Sequence, residues 1–371
     1  MKVAFKTFGC RLSRAEALDQ EAGFLAAGHE VVDLNDARAE PDCIIVRGCS
    51  VTARAQRDSC KTLEHLRRRF PQAKVIPVGC MPGAVKPEAY TDNESAVPMA
   101  TSRAYLKVQD GCSGKCTYCI VPHYRGAPVS VPFARVLARA EAFLAAGFRE
   151  LVVTGCNLAL YRSDGKGLAE LLGALAELPS PGHRVRLSSL EPGVVGEEIL
   201  AVMEEHANIC RFIHLSVQSG SNAVLARMKR GYRAETVAEF CAAARKRLGK
   251  RLALGADVIT GFPGETDADF RLTVELVRGF ANLHIFPYSE RPGTPAAVMA
   301  GAVPRKVRIE RARELKALAQ GWREEFARSL IGQEMEVCVE RGGDHGWSAE
   351  YLPCVLDTPA PRRTLVKMIM K

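Results

Sequence analysis

From Tyr105 to Ser289 an apolar strand-like run and an amphipathic helical stretch alternate six times, and this repetition constrains the fold more than any other feature. The strand-like runs are Tyr105–Gln109, Leu151–Thr154, Val185–Ser189, Phe212–Val217, Leu254–Ile259 and Leu283–Phe286. Between them lie Ala134–Ala146, Leu168–Leu178, Glu197–His206, Glu235–Leu248 and Asp267–Phe280. Such alternation buries apolar surface best as a parallel sheet coated by helices, and six units suit an incomplete (β/α) barrel. The carboxyl ends of barrel strands carry the active site. Here those ends hold Thr154-Gly155, Ser189 and Glu191, Gln218-Ser219-Gly220, Thr260-Gly261 and Tyr288-Ser289. Strand ends are commonly more polar than strand middles, but a set this dense predicts a binding site.

The flanking segments read differently. Residues 1–83 alternate strands (Val3–Phe8, Glu30–Leu34, Cys43–Arg47, Lys74–Val78) with helices (Ser13–Ala27, Val51–Phe70), which predicts an open parallel sheet domain. Residues 84–102 are rich in Pro, Ala, Asn and Glu and read as a linker to a barrel spanning 103–303. A charged helix with a basic excess follows over 304–330. Residues 331–371 then alternate as strands, with Glu334–Glu340, Tyr351–Leu356 and Thr364–Ile369, predicting a small all-β unit that needs the rest of the chain to be stable. The fold class is therefore α/β with an all-β appendage.

Composition adds bounds. Of 371 residues, 51 are basic and 42 acidic, a net charge of +9 that tilts towards a polyanionic partner such as nucleic acid. No apolar run is long enough for a membrane span, and the opening Met1-Lys-Val-Ala-Phe-Lys6 lacks the core of a secretory signal, so a cytoplasmic setting without membrane is expected. Thirteen cysteines, an odd number in such a chain, point to metal or redox chemistry before a disulfide framework.

Three of them form the run Gly111-Cys-Ser-Gly-Lys-Cys-Thr-Tyr-Cys119. Thiolates at Cys112, Cys116 and Cys119 can hold an iron–sulfur cluster, and a set that stops at three leaves one iron without a protein ligand. The alternatives are a zinc site short of its fourth ligand, with His123 at hand, or free thiols. A second set, Cys10, Cys49 and Cys80, shares an architectural position: each follows a glycine just past a strand. If those strands are parallel, their carboxyl ends bring the three thiols to one sheet edge, where open α/β folds bind ligands. Three unrelated buried thiols are the alternative. The other seven cysteines read as packing residues, with Cys156 held open because its strand end faces the barrel site. His214 and His284 read as core or layer residues.

With both triplets in view, the chain resembles the radical S-adenosylmethionine methylthiotransferases. Cys112-x3-Cys116-x2-Cys119, with Tyr118 before the last cysteine, resembles the radical signature, and the three-cysteine domain before it and the β unit after it match that family's order. Lys107-Val-Gln-Asp-Gly-Cys112, Arg186-Leu-Ser-Ser-Leu-Glu-Pro192 and His284-Ile-Phe-Pro-Tyr-Ser-Glu-Arg-Pro-Gly-Thr-Pro295 are most similar to the branch acting on N6-threonylcarbamoyladenosine in tRNA. Ser13 and Asn157 depart from the residues usual there. The resemblance implies two 4Fe–4S clusters, on Cys112/Cys116/Cys119 and on Cys10/Cys49/Cys80, and S-adenosylmethionine bound at the open iron of the first. It implies a radical that removes hydrogen from C2 of adenosine 37, sulfur delivered from the second cluster, and a C-terminal TRAM-like domain that binds RNA. The cofactors carry the hard step, so no catalytic acid or base is expected beyond the cluster ligands. Tyr118, Ser189, Glu191, Gln218, Gly261 and Pro263 are the candidates for holding cofactor and nucleoside. The expected partners are the tRNA anticodon stem-loop, a sulfur source, and an electron donor such as flavodoxin or ferredoxin. Competing readings are the same chemistry on another tRNA adenosine or on a ribosomal protein aspartate, and a non-enzymatic electron carrier.

Overall fold

The computed structural model describes residues 1–36, 38–85, 101–180, 182–194 and 196–371. Most of the linker expected at 84–102 lies outside them, though Thr101 and Ser102 are already buried.

In the N-terminal unit, β1 (Lys2–Thr7), α1 (Arg11–Ala26), β2 (Glu30–Val31), β3 (Cys43–Gly48), α2 (Ala53–Arg69) and β4 (Lys74–Gly79) build a wholly parallel sheet of order β2-β1-β3-β4. Central β3 is buried along its whole length, as its continuous apolar run requires.

The middle of the chain carries β5 (Ala104–Asp110), α3 (Val121–Arg125), β6 (Val129–Ser130), α4 (Phe133–Ala145), β7 (Glu150–Gly155), α5 (Leu168–Ala176), β8 (Arg184–Leu187), β9 (Ser189–Leu190) and α6 (Glu197–Glu205). It continues through β10 (Phe212–Gln218), α7 (Asn222–Arg227), α8 (Ala234–Leu248), β11 (Ala253–Thr260), α9 (Asp267–Leu276) and β12 (Asn282–Pro287). The strands pair in chain order, in parallel, as the partial barrel requires. The strand expected at Val185–Ser189 is broken at Ser188 into β8 and β9, so the pairing falls into two sheets. Short β6, antiparallel to β5, was not legible in the sequence.

The faces of these strands alternate. Leu106, Val153, Val185, Ile213, Leu215, Leu254 and Ala256 pack outward with the coating helices in one core. Inward-facing Tyr105 and Val152 meet Ala15 and Leu18 of α1, so a helix of the N-terminal unit closes part of the barrel's inner side.

After α10 (Arg305–Arg328), β13 (Glu334–Val339), β14 (His345–Ser348), β15 (Pro353–Val355) and β16 (Leu365–Ile369) form an antiparallel sheet of order β15-β14-β13-β16. It is all-β as expected, with β14 added to the three strands read from sequence. The sheet docks on the inner face of the barrel. Arg184 of β8 donates to the backbone carbonyls of Glu336 and Trp347 at 2.7 Å, and Arg186 to that of Ser348 at 2.8 Å. Both guanidiniums also bond Glu150 of β7, which is fully buried. Tyr351 stacks between Trp347 and the inward-facing Phe212, with ring centroids 4.7 and 4.8 Å away. Among the described residues no helix is long and apolar enough to cross a membrane.

Candidate functional site

Register brings the second cysteine set together. Gly48 and Gly79 are paired across β3 and β4, and the Phe8 amide donates to the Arg47 carbonyl, so the three chains leave the sheet at one level. Cys10 then caps α1, Cys49 donates its amide to Ser59 Oγ at 3.1 Å, and the Cys80 amide bonds the Gly48 carbonyl. The glycines are required. Gly9 and Gly79 have φ of 115° and 83°, and a Cβ on Gly48 would sit 2.3 Å from Met81 Sδ. Burial pushes the Cys49 and Cys80 thiols up, and the sulfur of Cys10 adds to the rise at both.

The triplet loop is fastened from below. The Thr117 amide bonds the Met228 carbonyl, its hydroxyl donates to the Arg227 carbonyl at 2.9 Å, and the Ala296 amide bonds the Thr117 carbonyl. Cys112, Cys116 and Cys119 curl towards one another: a Cβ on Gly114 would lie 3.2 Å from Cys112 Sγ and 3.7 Å from Cys116 Sγ. Burial pushes the Cys119 thiol up to about 11, with Cys116 and Cys112 contributing. Three soft donors on one loop suit an iron–sulfur group better than a closed zinc site, because among the described residues no fourth ligand is grouped with them and His123 forms an edge contact with Tyr124.

Two arginines, neither singled out from sequence, tie the thiols to the rest of the site. Arg230 donates to Cys116 Sγ at 2.9 Å and pairs with Glu191 at 3.0 Å. Arg125, in the short helix after the triplet, donates to Cys80 Sγ at 3.2 Å. The same guanidinium bonds Glu16 and Asp110, each at 2.8 Å. Glu16 also holds Arg47 at 2.6 Å and Lys107 at 2.7 Å, and Lys107 reaches Asp110 at 2.7 Å. A buried ionic network thus runs from β3 and α1 to β5 and α3, reaching Cys80 through Arg125 and ending at Asp110, just before Cys112 in the chain. Burial alone would push Asp110 up, but Lys107 and Arg125 hold it at about 2. Cys156 belongs to this junction: its thiol donates to Asp110 Oδ1 at 3.3 Å, and burial pushes it far up.

The other candidates divide. Glu191 takes hydrogen bonds from Arg230 and from Asn157 Nδ2, and Ser189 lies on β9 just before it. Gln218 ends β10 at a register shift, with φ of 62°. Tyr118 packs edge-on with Phe262, against the buried cluster that also holds Met228 and Tyr288. Gly261 and Pro263 do something else. A Cβ on Gly261 would lie 2.4 Å from Arg308 Cγ, and the Pro263 carbonyl takes Arg227 Nε at 2.8 Å. That turn is held by the chain's own arginines, while Phe262 between them reaches Tyr118.

Comparison with known proteins adds independent findings. The sequence matches the model of the Radical SAM superfamily over residues 106–277 and that of the uncharacterized protein family UPF0004 over residues 2–99. It is 32% identical to the threonylcarbamoyladenosine tRNA methylthiotransferase MtaB of Thermotoga maritima, over 91% of this chain and 86% of that protein. Identity to the protein of the same name from Bacillus subtilis is also 32%, over 91% and 84% of the two chains. With that of Aquifex aeolicus it is 31%, over 91% and 93%. Among solved structures the fold is similar to the radical S-adenosylmethionine methyltransferase TsrM from Kitasatospora setae. The TM-score is 0.59 at 14% identity, over 80% of this chain and 77% of that one.

Proposed function

This chain belongs to the radical S-adenosylmethionine methylthiotransferases, and from that premise we propose that it places a methylthio group on C2 of N6-threonylcarbamoyladenosine at position 37 of tRNA. The observation that carries the reading is the convergence of Cys10, Cys49 and Cys80 at one edge of the N-terminal sheet, with a buried ionic network running from Cys80 through Arg125 to Asp110, just before Cys112 in the chain. Cys112, Cys116 and Cys119 would hold one 4Fe–4S cluster and Cys10, Cys49 and Cys80 the other. When bound, the first cluster with S-adenosylmethionine supplies one-electron chemistry at an unactivated C–H bond, and the second supplies sulfur.

The chain's own residues orient and insulate. Arg230 places positive charge against Cys116 and Glu191, and Arg125 does so against Cys80. Tyr118, Phe262 and Tyr288 form an apolar wall beside the triplet. Ser189, Glu191 and Gln218 are the residues assigned to cofactor and nucleoside; Gly261 and Pro263 act by shaping the turn that carries Phe262.

Recognition of the tRNA anticodon stem-loop combines phosphate contacts with readout of unstacked loop bases. On α10, Arg308 and Arg311 are buried in ion pairs with Glu290 and Glu265, so they are not phosphate contacts. Arg305, Lys306, Arg313, Lys316 and Arg328 are exposed on that helix, as are Arg67, Arg68 and Arg69 at the end of α2. The C-terminal sheet is TRAM-like and shares the RNA surface. The enzyme works in the cytoplasm, with a flavodoxin or ferredoxin as reductant and an external sulfur source.

Nucleoside mass spectrometry tests this. Transfer RNA bearing threonylcarbamoyladenosine, incubated with reconstituted protein, reductant, sulfide and S-adenosylmethionine, should gain one methylthio group on that nucleoside. Unchanged threonylcarbamoyladenosine alongside a modified second adenosine, or a modified ribosomal protein, would overturn the assignment. Absence of cofactor cleavage would reduce the protein to an electron carrier.

A further inference from the structure

Apart from the six cysteines, three potential ligands converge on the inner face of the barrel: His214 on β10, Asp257 on β11 and His284 on β12. Their common face follows from register, with His214 opposite Gly255 and Asp257 opposite His284. His214 Nε2 and His284 Nδ1 each lie 3.1 Å from the same oxygen, Asp257 Oδ1, and all three donor atoms fall within 4.8 Å of one another. Donors on a tetrahedral zinc ion with bonds of about 2.0–2.1 Å stand roughly 3.3 Å apart. The two N···O separations are close to that.

We propose that His214, Asp257 and His284 form a binding site for one divalent first-row transition metal ion, of which Zn2+ is the best match. Two imidazoles and a carboxylate are the donors such ions take, whereas magnesium and calcium prefer oxygen alone. The backbone is shaped for it. A Cβ on Gly255 would lie 2.7 Å from His214 Nδ1, so only glycine leaves room for this ring. His214 is 1% exposed and its Nδ1 has no hydrogen-bond partner among the described residues, so the ring is held by packing and by Asp257. The His284 side chain is 45% exposed, which opens a path for the ion. Arg11, a cation near the site, is engaged 5.2 Å from the Tyr351 ring centroid. Three protein ligands leave a fourth position for water or an oxygen donor.

The alternative occupant of this geometry is a pair of hydrogen bonds that merely tie β10, β11 and β12 together. Metal counting separates the two. Full-length protein with both clusters in place, so that the cysteines are taken, is incubated with zinc sulfate, desalted and measured by inductively coupled plasma mass spectrometry. The site binds about one zinc per chain, and His284→Gln and Asp257→Asn lose it while iron and sulfide contents stay at the parent level. His284→Gln, changed at a half-exposed residue, decides the matter alone if Asp257→Asn does not fold. X-ray absorption at the zinc edge should find a first shell of nitrogen and oxygen. Zinc at blank level in the parent, zinc retained by His284→Gln, or sulfur in the first shell would each overturn the proposal.

Discussion

Arg125 concentrates the site's electrostatics in one side chain. Its guanidinium faces one thiol, Cys80, and two carboxylates, Glu16 and Asp110, and the anions push its own pKa far up. A hydrogen bond to a cluster sulfur stabilises the more negative, reduced state and so raises the potential. Arg125→Lys keeps the charge but cannot reach Cys80, Glu16 and Asp110 together. The Cys10/Cys49/Cys80 cluster should then reduce at a lower potential in an EPR-monitored titration, with the other cluster unmoved. Arg125→Ala removes one cation from two buried carboxylates that keep Arg47 and Lys107, and should cost about 1.5–3 kcal/mol of stability by chemical denaturation. At this scale the sequence announced the six thiols, because fixed spacing and the repeated Gly-Cys at strand ends are both local signals. Arg125 and Arg230 had no such mark among 51 basic residues. Their roles depend on which carboxylate and thiol the fold brings within 3 Å or so.

Glu150 does for β7 and β8 what Arg125 does for the thiols. Burial would push its carboxyl up, but Arg184 and Arg186 outweigh this and hold it well below the usual range. A depressed folded pKa contributes stability that is complete above the unfolded carboxylate value of about 4.3 and is lost as pH falls below it. The parent should therefore lose stability in acid through this region, and Glu150→Gln should be destabilised at neutral pH by about 3–5 kcal/mol with a flatter acid limb. Thermal denaturation across a pH series reads both effects. The elements themselves were mostly legible: all six barrel strands and the helices between them appear within a few residues of their expected limits. Two strands were missed for a physical reason. Val129–Ser130 is too short to alternate, and His345–Ser348 owes its place to pairing with β13 and β15, not to its own pattern. The break at Ser188 is likewise tertiary, since β8 pairs with β7 and β9 with β10.

Across the whole molecule, the partial barrel is completed by its neighbours. Helix α1 packs Ala15 and Leu18 against Tyr105 and Val152, while the C-terminal sheet supplies acceptors to Arg184 and Arg186 and stacks Tyr351 on Phe212. The C-terminal unit is thus part of the barrel's structure as well as an RNA-binding candidate. Removing residues 331–371 should lower the thermal midpoint of the remainder, not merely weaken tRNA binding. Circular dichroism with a filter-binding assay distinguishes these. Binding by the full chain should weaken steeply and linearly on a log–log plot against salt, as phosphate contacts require.

The division of labour proposed for the two thiol triads makes their work separable. The direct measurement is to quantify 5′-deoxyadenosine and methylthiolated nucleoside in the same reactions for the parent, Cys112→Ala and Cys49→Ala. Cys112→Ala should form neither product, and Cys49→Ala should still form 5′-deoxyadenosine without methylthiolating the nucleoside. Methylthiolated nucleoside from Cys49→Ala, or 5′-deoxyadenosine from Cys112→Ala, would contradict it.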